Sequence, residues 1–372
     1  MYFENKKPLR SMQTLLSICA TLTIIGLLFI YSSSSIFALE LFNSSTFFIK
    51  KQLIGLFLGC LSFIFISTLS LDFIYTMVPI TFLISLLLTA CTFIPSLGIT
   101  IYGSSRWLSL KLLIFQPSEL LKITVILYVA RFLAEREKRP FSFVKSYLPL
   151  LIVIGTTSLL LLIQPDFGLA VTLASTTFLM LFMAGFPMRY LISTFCAMIP
   201  IIILLILKYP YRLKRIFTFL DPWKDPQGAG FQIIQSLIAI GSGHWLGSGI
   251  SQSKQKFFYL PMQHTDFIFA IIAEETGFIG CCIIIFLFFL ILYYGMKIGW
   301  HMKKTFHALT IKGFTTLIVL QAIINIFVTI GLFPTKGIGL PFVSYGNSSL
   351  ITLCIMLGLM YNITKQESST NR

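Results

Sequence analysis

The feature that most limits what this chain can become is the recurrence of apolar runs near 20 residues long. They fall at roughly residues 13–31, 52–69, 73–94, 119–134, 147–163, 169–186, 189–207, 267–292, 311–333 and 341–361. A helix of that length crosses the hydrocarbon core of a bilayer, where every backbone polar group must be satisfied inside the segment. The expected fold class is therefore all-α: a polytopic membrane protein of about ten transmembrane helices, residues 1–372 forming one domain. A large extracytoplasmic loop, residues 208–265, joins helices 7 and 8. With 56% hydrophobic and only 11% charged residues, the chain leaves no stretch for a sizeable soluble domain, so function must sit in loops and helix mouths.

An even number of spans puts both termini on one side. Lys6, Lys7 and Arg10 would share it with Arg136, Lys138, Arg139, Lys145, Lys297, Lys303, Lys304 and Lys312, which marks that side as cytoplasmic. The N-terminal run lacks a convincing cleavage site and reads as an uncleaved first span. The net charge of +15 is largely that of cytoplasmic loops, and no basic soluble face for nucleic acid is visible. The seven cysteines lie in apolar runs without metal-ligand spacing. The 208–265 loop is nevertheless basic, with Lys208, Arg212, Lys214, Arg215, Lys224, Lys254 and Lys256. An anionic ligand on the outer face and contact with anionic headgroups both account for that. Inside the loop, the apolar residues 230–240 are too short to span and read as a re-entrant or interfacial helix. The following GSGHWLGSG has no preceding strand, which argues against a nucleotide site.

Polar residues where lipid should be point to the chemistry. In FFYLPMQHTDFIFAIIAEETGFIG, residues 257–280, Gln263, His264, Thr265 and Asp266 meet the mouth of the eighth span. An ionisable residue there is a functional candidate, although Asp266 could equally cap a helix beginning near Phe267. Glu119 and Lys122, three apart after the helix-starting Pro117, share one face and either pair to hold the bundle or line a cavity. Asp166 occupies the QPDFG turn, Arg106 the GSSRW loop, and Lys336 and Ser344 the PTKGIGLPFVSYGNSS segment. Glu274 and Glu275 are adjacent and so point about 100° apart on a helix, which rules out a single paired-carboxylate site. No Ser-His-Asp order, HExxH or Walker sequence is present. What remains is an outer constellation of Arg106, Glu119, Lys122, Asp166, Asp266 and Lys336. Its cations suit a diphosphate, and its carboxylates suit a base or a bound divalent ion.

These motifs, together with RWLSLKLLIFQPSELLK and FLDPWKDPQGAGFQIIQSLIAIGSGHWLGSGISQS, resemble the SEDS family of bacterial cell-wall polymerases, whose members include FtsW and RodA. The resemblance runs from about residue 10 to 361 and leans toward the division branch, FtsW, over the elongation branch. It implies an inverting glycosyltransferase of the bacterial inner membrane, multi-pass with cytoplasmic termini, that polymerises lipid II into peptidoglycan at the outer face. A lipid II flippase is the alternative. It also implies Asp266 as the catalytic base, with Arg106, Glu119, Lys122, Asp166, His264, Thr265, Lys336 and Ser344 around the substrate. The implied partners are lipid II and the nascent lipid-linked glycan, a class B penicillin-binding transpeptidase, and other division or elongation membrane proteins. A divalent cation, magnesium or manganese, stays open as a cofactor, and no organic cofactor is expected. Two positions depart from the family pattern: Met262 stands where a glutamate is common, and Asn347 where a glycine is common.

Overall fold

A computed structural model of the chain describes residues 7–101, 104–109, 114–137, 139, 142–208, 210–228, 230–253, 263–335 and 337–370. Lys6, Gly103, Lys138, Lys254, Lys256, Met262 and Lys336, all singled out in the sequence, lie outside the described residues. The helices are α1 (Lys7–Phe42), α2 (Phe47–Thr68), α3 (Leu71–Cys91), α4 (Pro117–Arg136), α5 (Leu148–Ile163), α6 (Phe167–Met183), α7 (Met188–Lys208), α8 (Pro210–Leu220), α9 (Phe231–Ser242), α10 (Ile268–His301), α11 (Thr305–Thr329) and α12 (Asn347–Thr370). The ten expected spans correspond to α1–α7 and α10–α12, while α8 and α9 belong to the long loop. Among the described residues, seven helices are long and apolar enough to cross a membrane: α1, α2, α3, α5 with its preceding π-helical turn, α10, α11 and α12. By that measure α6 is short at 17 residues. In α4, Glu119, Lys122 and Arg131 interrupt the apolar run.

The fold class is all-α, as expected, with one addition. Residues that read as a loop form a three-stranded antiparallel sheet, β1 (Gly98–Ile101), β2 (Ser104–Ser109) and β3 (Ile114–Phe115), in the order β1-β2-β3. Strands of two to six residues are too short for alternation to stand out beside long apolar helices. The sheet has a positional consequence. Leu108 pairs with Phe115, so the strand carrying Arg106 is fastened to the chain just before Pro117 opens α4.

At the centre stands α11, most of whose span is buried, packed against α10, α4 and α6. The periphery belongs to α2 and α3, which expose Leu53, Phe57, Phe65, Leu83 and Leu87. Gly55 and Gly59 on the covered face of α2 allow α12 to approach closely, as small residues do between membrane helices. A side chain at Gly55 would strike Asn347, whose amide therefore occupies space that α2 leaves open.

One helix is interrupted. Gly277 in α10 has φ 67° and ψ −164°, a backbone conformation that is costly for any residue with a Cβ. The glycine-rich segment after α9 closes the gap: Phe278 and Ile279 donate their N–H groups to the carbonyls of His244 and Trp245, and Ser248 and Gly249 donate theirs to the carbonyls of Glu274 and Glu275. Residues 230–240, read as a re-entrant or interfacial helix, do form the short apolar helix α9, which leads into a glycine-rich segment hydrogen-bonded into α10.

Candidate active site

Asp266 lies in the turn formed by residues 263–267, directly before α10. It does not cap that helix: the N-cap is Phe267, and among the described residues no side chain accepts the first free amides. The backbone of the turn is held carbonyl by carbonyl. His264 O accepts from the Tyr345 amide at 2.9 Å. Thr265 O accepts from Ser344 Oγ at 2.5 Å, and Asp266 O from Asn325 Nδ2 at 2.8 Å. The segment leading to α12 is thus clasped to the Asp266 turn, and within it Phe342 is buried with φ 66°, an unusual value for an aromatic residue. Gly337 passes over the carboxylate: a Cβ there would lie 3.3 Å from Asp266 Oδ2. The residue as a whole is half-buried, and burial of its carboxyl pushes the pKa up from 3.8 to about 7; the positive Arg106 works against that shift and the negative Asp166 adds to it.

Arg106 and Asp166 meet in the same region. The guanidinium donates through Nη2 to Pro165 O at 2.6 Å and through Nε to Gln164 O at 3.4 Å, and lies 3.7 Å from the Asp166 carboxylate. It thereby sits against the C-terminal carbonyls of α5, where a cation is favoured by the helix dipole. Asp166 is the N-cap of α6, accepting from the Leu169 amide at 3.2 Å. Burial raises the Asp166 pKa, and Arg106 opposes the rise most strongly. Glu119 and Lys122 do pair, at 2.7 Å, and both are buried. Their charges reach Asp166, so Arg106, Glu119, Lys122, Asp166 and Asp266 form one electrostatic neighbourhood.

The remaining candidates are placed differently. The His264 ring packs between Phe48, with centroids 4.4 Å apart, and Tyr345 at 5.7 Å, and burial lowers its pKa to about 4, so it is neutral at pH 7. Thr265 enters through its carbonyl, and Ser344 as the hydroxyl that holds it. Lys336 lies outside the described residues. Glu274 and Glu275 are buried beside the α10 break, away from this cluster. Glu275 accepts from Ser32 at 2.7 Å and Glu274 from Ser253. Among the described residues no three His, Cys, Asp or Glu side chains converge to hold a metal ion, and Asp166 is already engaged by Arg106 and the Leu169 amide.

Sequence reasoning passed over Gln321 and Asn325. Four apart on α11, both reach the segment before α12: Gln321 Nε2 donates to Gly339 O at 3.0 Å, and Asn325 Nδ2 to Ile338 O at 2.7 Å. Gln321 also accepts from Lys122 Nζ at 3.4 Å. Two amides one turn apart inside an apolar span were the available signal.

Comparison with known proteins identifies the family. The family model for FtsW, RodA and SpoVE, described as cell cycle protein, matches residues 12–369. The chain belongs to this family. A probable peptidoglycan glycosyltransferase FtsW of Trichlorobacter lovleyi is 39% identical over 365 residues, covering 96% of this chain and 95% of the relative. Stage V sporulation protein E of Bacillus subtilis is 38% identical, covering 94% and 96%. Among solved structures, a chain from work on the structural coordination of polymerization and crosslinking by a peptidoglycan synthase complex superposes with a TM-score of 0.80 at 30% identity, covering 95% of this chain and 98% of that one. The rod shape determining protein RodA of Thermus thermophilus superposes with a TM-score of 0.71 at 26% identity, covering 95% and 96%. The FtsW/RodA/SpoVE likeness thus spans every helix described here.

Proposed function

We propose that this chain is an inverting peptidoglycan glycosyltransferase that joins lipid II into glycan strands, with Asp266 as its general base. Kinship to the FtsW and SpoVE relatives supports the activity, and the preponderance of FtsW among them supports a role in division. The observation that carries the mechanism is the state of Asp266: free of capping duty, on a backbone fixed at three successive carbonyls, and titrating near neutrality beside Arg106. A base of that pKa is well matched to its task at pH 7.

In the reaction, the acceptor sugar hydroxyl gives its proton to the Asp266 carboxylate while its oxygen attacks the anomeric carbon of the donor. The bond from that carbon to the lipid diphosphate breaks, and the electron pair leaves with the diphosphate. One displacement with a base inverts the configuration, as in inverting glycosidases. Charge gathers on the departing diphosphate, which a fixed cation stabilises. The Arg106 side chain is 20% exposed, whereas Lys122 is 1% exposed and engaged by Glu119, so contact with the diphosphate falls to Arg106. The Glu119–Lys122 pair forms the floor beneath it.

The end of the bundle carrying Asp266 faces outward in this reading, because Arg136, Arg139, Lys303 and Lys304 lie at the other end. A transpeptidase partner is supported by the synthase complex that supplies the structural neighbour. Reconstitution with lipid II tests the proposal, with and without a candidate transpeptidase. Glycan product from the native protein and none from folded Asp266→Asn is the expected result. Equal product from both overturns the assignment, and movement of labelled lipid without product identifies a transporter instead.

A further inference from the structure

We infer that Asn325 is a positioning residue for the Asp266 base, a role that rests on the polymerase reading. The argument begins with what the side chain has to offer. Asn325 is 1% exposed, in the middle of the bundle, and both of its amide hydrogens are spent on backbone carbonyls: Asp266 O at 2.8 Å and Ile338 O at 2.7 Å. A planar carboxamide directs its two N–H bonds about 120° apart in one plane, so two carbonyls bound at these distances are fixed relative to each other. Those carbonyls belong to the two segments that enclose the carboxylate, the 263–267 turn and the segment carrying Gly337.

Binding the carbonyl of Asp266 itself restrains ψ of that residue. With Thr265 O held by Ser344 and His264 O by Tyr345, the Cα–Cβ direction of Asp266 is set by its neighbours rather than by its own side chain. One turn earlier on α11, Gln321 binds Gly339 O and Lys122, so the same helix face spaces the Glu119–Lys122 pair from the base. Asn325 Oδ1 is buried and, among the described residues, has no hydrogen-bond partner, so the side chain bears a desolvation cost on its oxygen while its two N–H bonds hold the two carbonyls.

The test uses the full chain reconstituted with its transpeptidase. Asn325→Ala is expected to lower kcat for lipid II about 10- to 100-fold, the loss that follows when a reacting group shifts by about 1 Å. KM should stay within about twofold, because the substrate contacts are untouched. The acid limb of the pH–rate profile should move to lower pH, because a loosened turn admits water to the carboxylate. Ser344→Ala, which frees the adjacent carbonyl, should move both readouts the same way by less. Native kcat in folded Asn325→Ala overturns the inference, as does a loss of kcat with the acid limb unmoved, which marks a role in bundle stability alone. If Asn325→Ala does not fold, native kcat and pH profile in Ser344→Ala overturn it. An inert native protein fails the polymerase reading and this inference with it, whereas an active native protein with an indifferent Asn325→Ala fails this inference alone.

Discussion

Polymerisation should depend on the ionisation of Asp266, and the structure sets where. With a pKa of about 7 in place of 3.8, the carboxylate is about half ionised at pH 7, about a tenth at pH 6 and about a hundredth at pH 5. The rate per enzyme should therefore fall about tenfold per unit below pH 6, whereas an ordinary aspartate would leave it flat across that range. The same shift bears on stability with the opposite sign. The folded state prefers protonated Asp266, so this stabilisation is complete below pH 3.8 and lost as pH rises through about 7. At about 1.4 kcal/mol per unit, its upper bound is about 4 kcal/mol, and solvent screening at a residue that is only half-buried reduces it. Glycan formation from lipid II, followed from pH 5 to 9 in one detergent at constant ionic strength, measures the first effect. Thermal melting of native protein against Asp266→Asn over the same range measures the second. Arg106 lowers the Asp266 pKa, so Arg106→Gln should move the acid limb to higher pH. A rate that stays level down to pH 5, or an acid limb unchanged in Arg106→Gln, would refute this account of the base.

The ion pair beneath the site is tested by Glu119→Gln, which leaves the Lys122 charge buried and unpaired. A loss of about 3 kcal/mol or more should register as a lower melting temperature, and native stability would show the pair to be dispensable. Gly277→Ala forces a Cβ into a left-handed conformation and against the backbone of Trp245 at 2.6 Å. It should destabilise the glycine-rich segment and increase protease cleavage near residues 241–249. Gly337→Ala places a methyl 3.3 Å from Asp266 Oδ2, so kcat should fall while the melting temperature holds.

The helices were legible because each carries its own signal: about 20 apolar residues cannot be anything else in lipid. Pro117 starting α4 was likewise local, as was the spacing of Glu119 and Lys122, whereas Asp166 read only as part of a turn and its N-cap role emerged from the structure. What the chain does not write locally is which candidate faces which. His264 and Asp266 are two residues apart and equally polar in sequence, but His264 is packed among aromatic rings from α1, α2 and the segment before α12. Asn325 was invisible for the same reason, since its meaning lies in two carbonyls 59 and 13 residues away. The choice between capping and chemistry for Asp266 turned on a single-residue offset in the helix start, finer than hydropathy resolves.

The break in α10 bears on the choice between polymerase and transporter. Discontinuous membrane helices often mark transport sites, because the freed backbone groups and half-helix ends bind the passing ion or substrate. Here the freed groups are already bound. The carbonyls of Glu274 and Glu275 accept from Ser248 and Gly249, and the amides of Phe278 and Ile279 donate to His244 and Trp245. A gate would need those bonds to part on every cycle, exposing four backbone groups and two buried carboxylates to a low-dielectric interior. The interruption also lies 11 residues beyond Asp266, about 16 Å along the helix, too far for a single ion or one reacting group to use both. It works instead as a joint that ties the glycine-rich segment to the first part of α10, and so steadies the short rod on which the Asp266 turn is mounted.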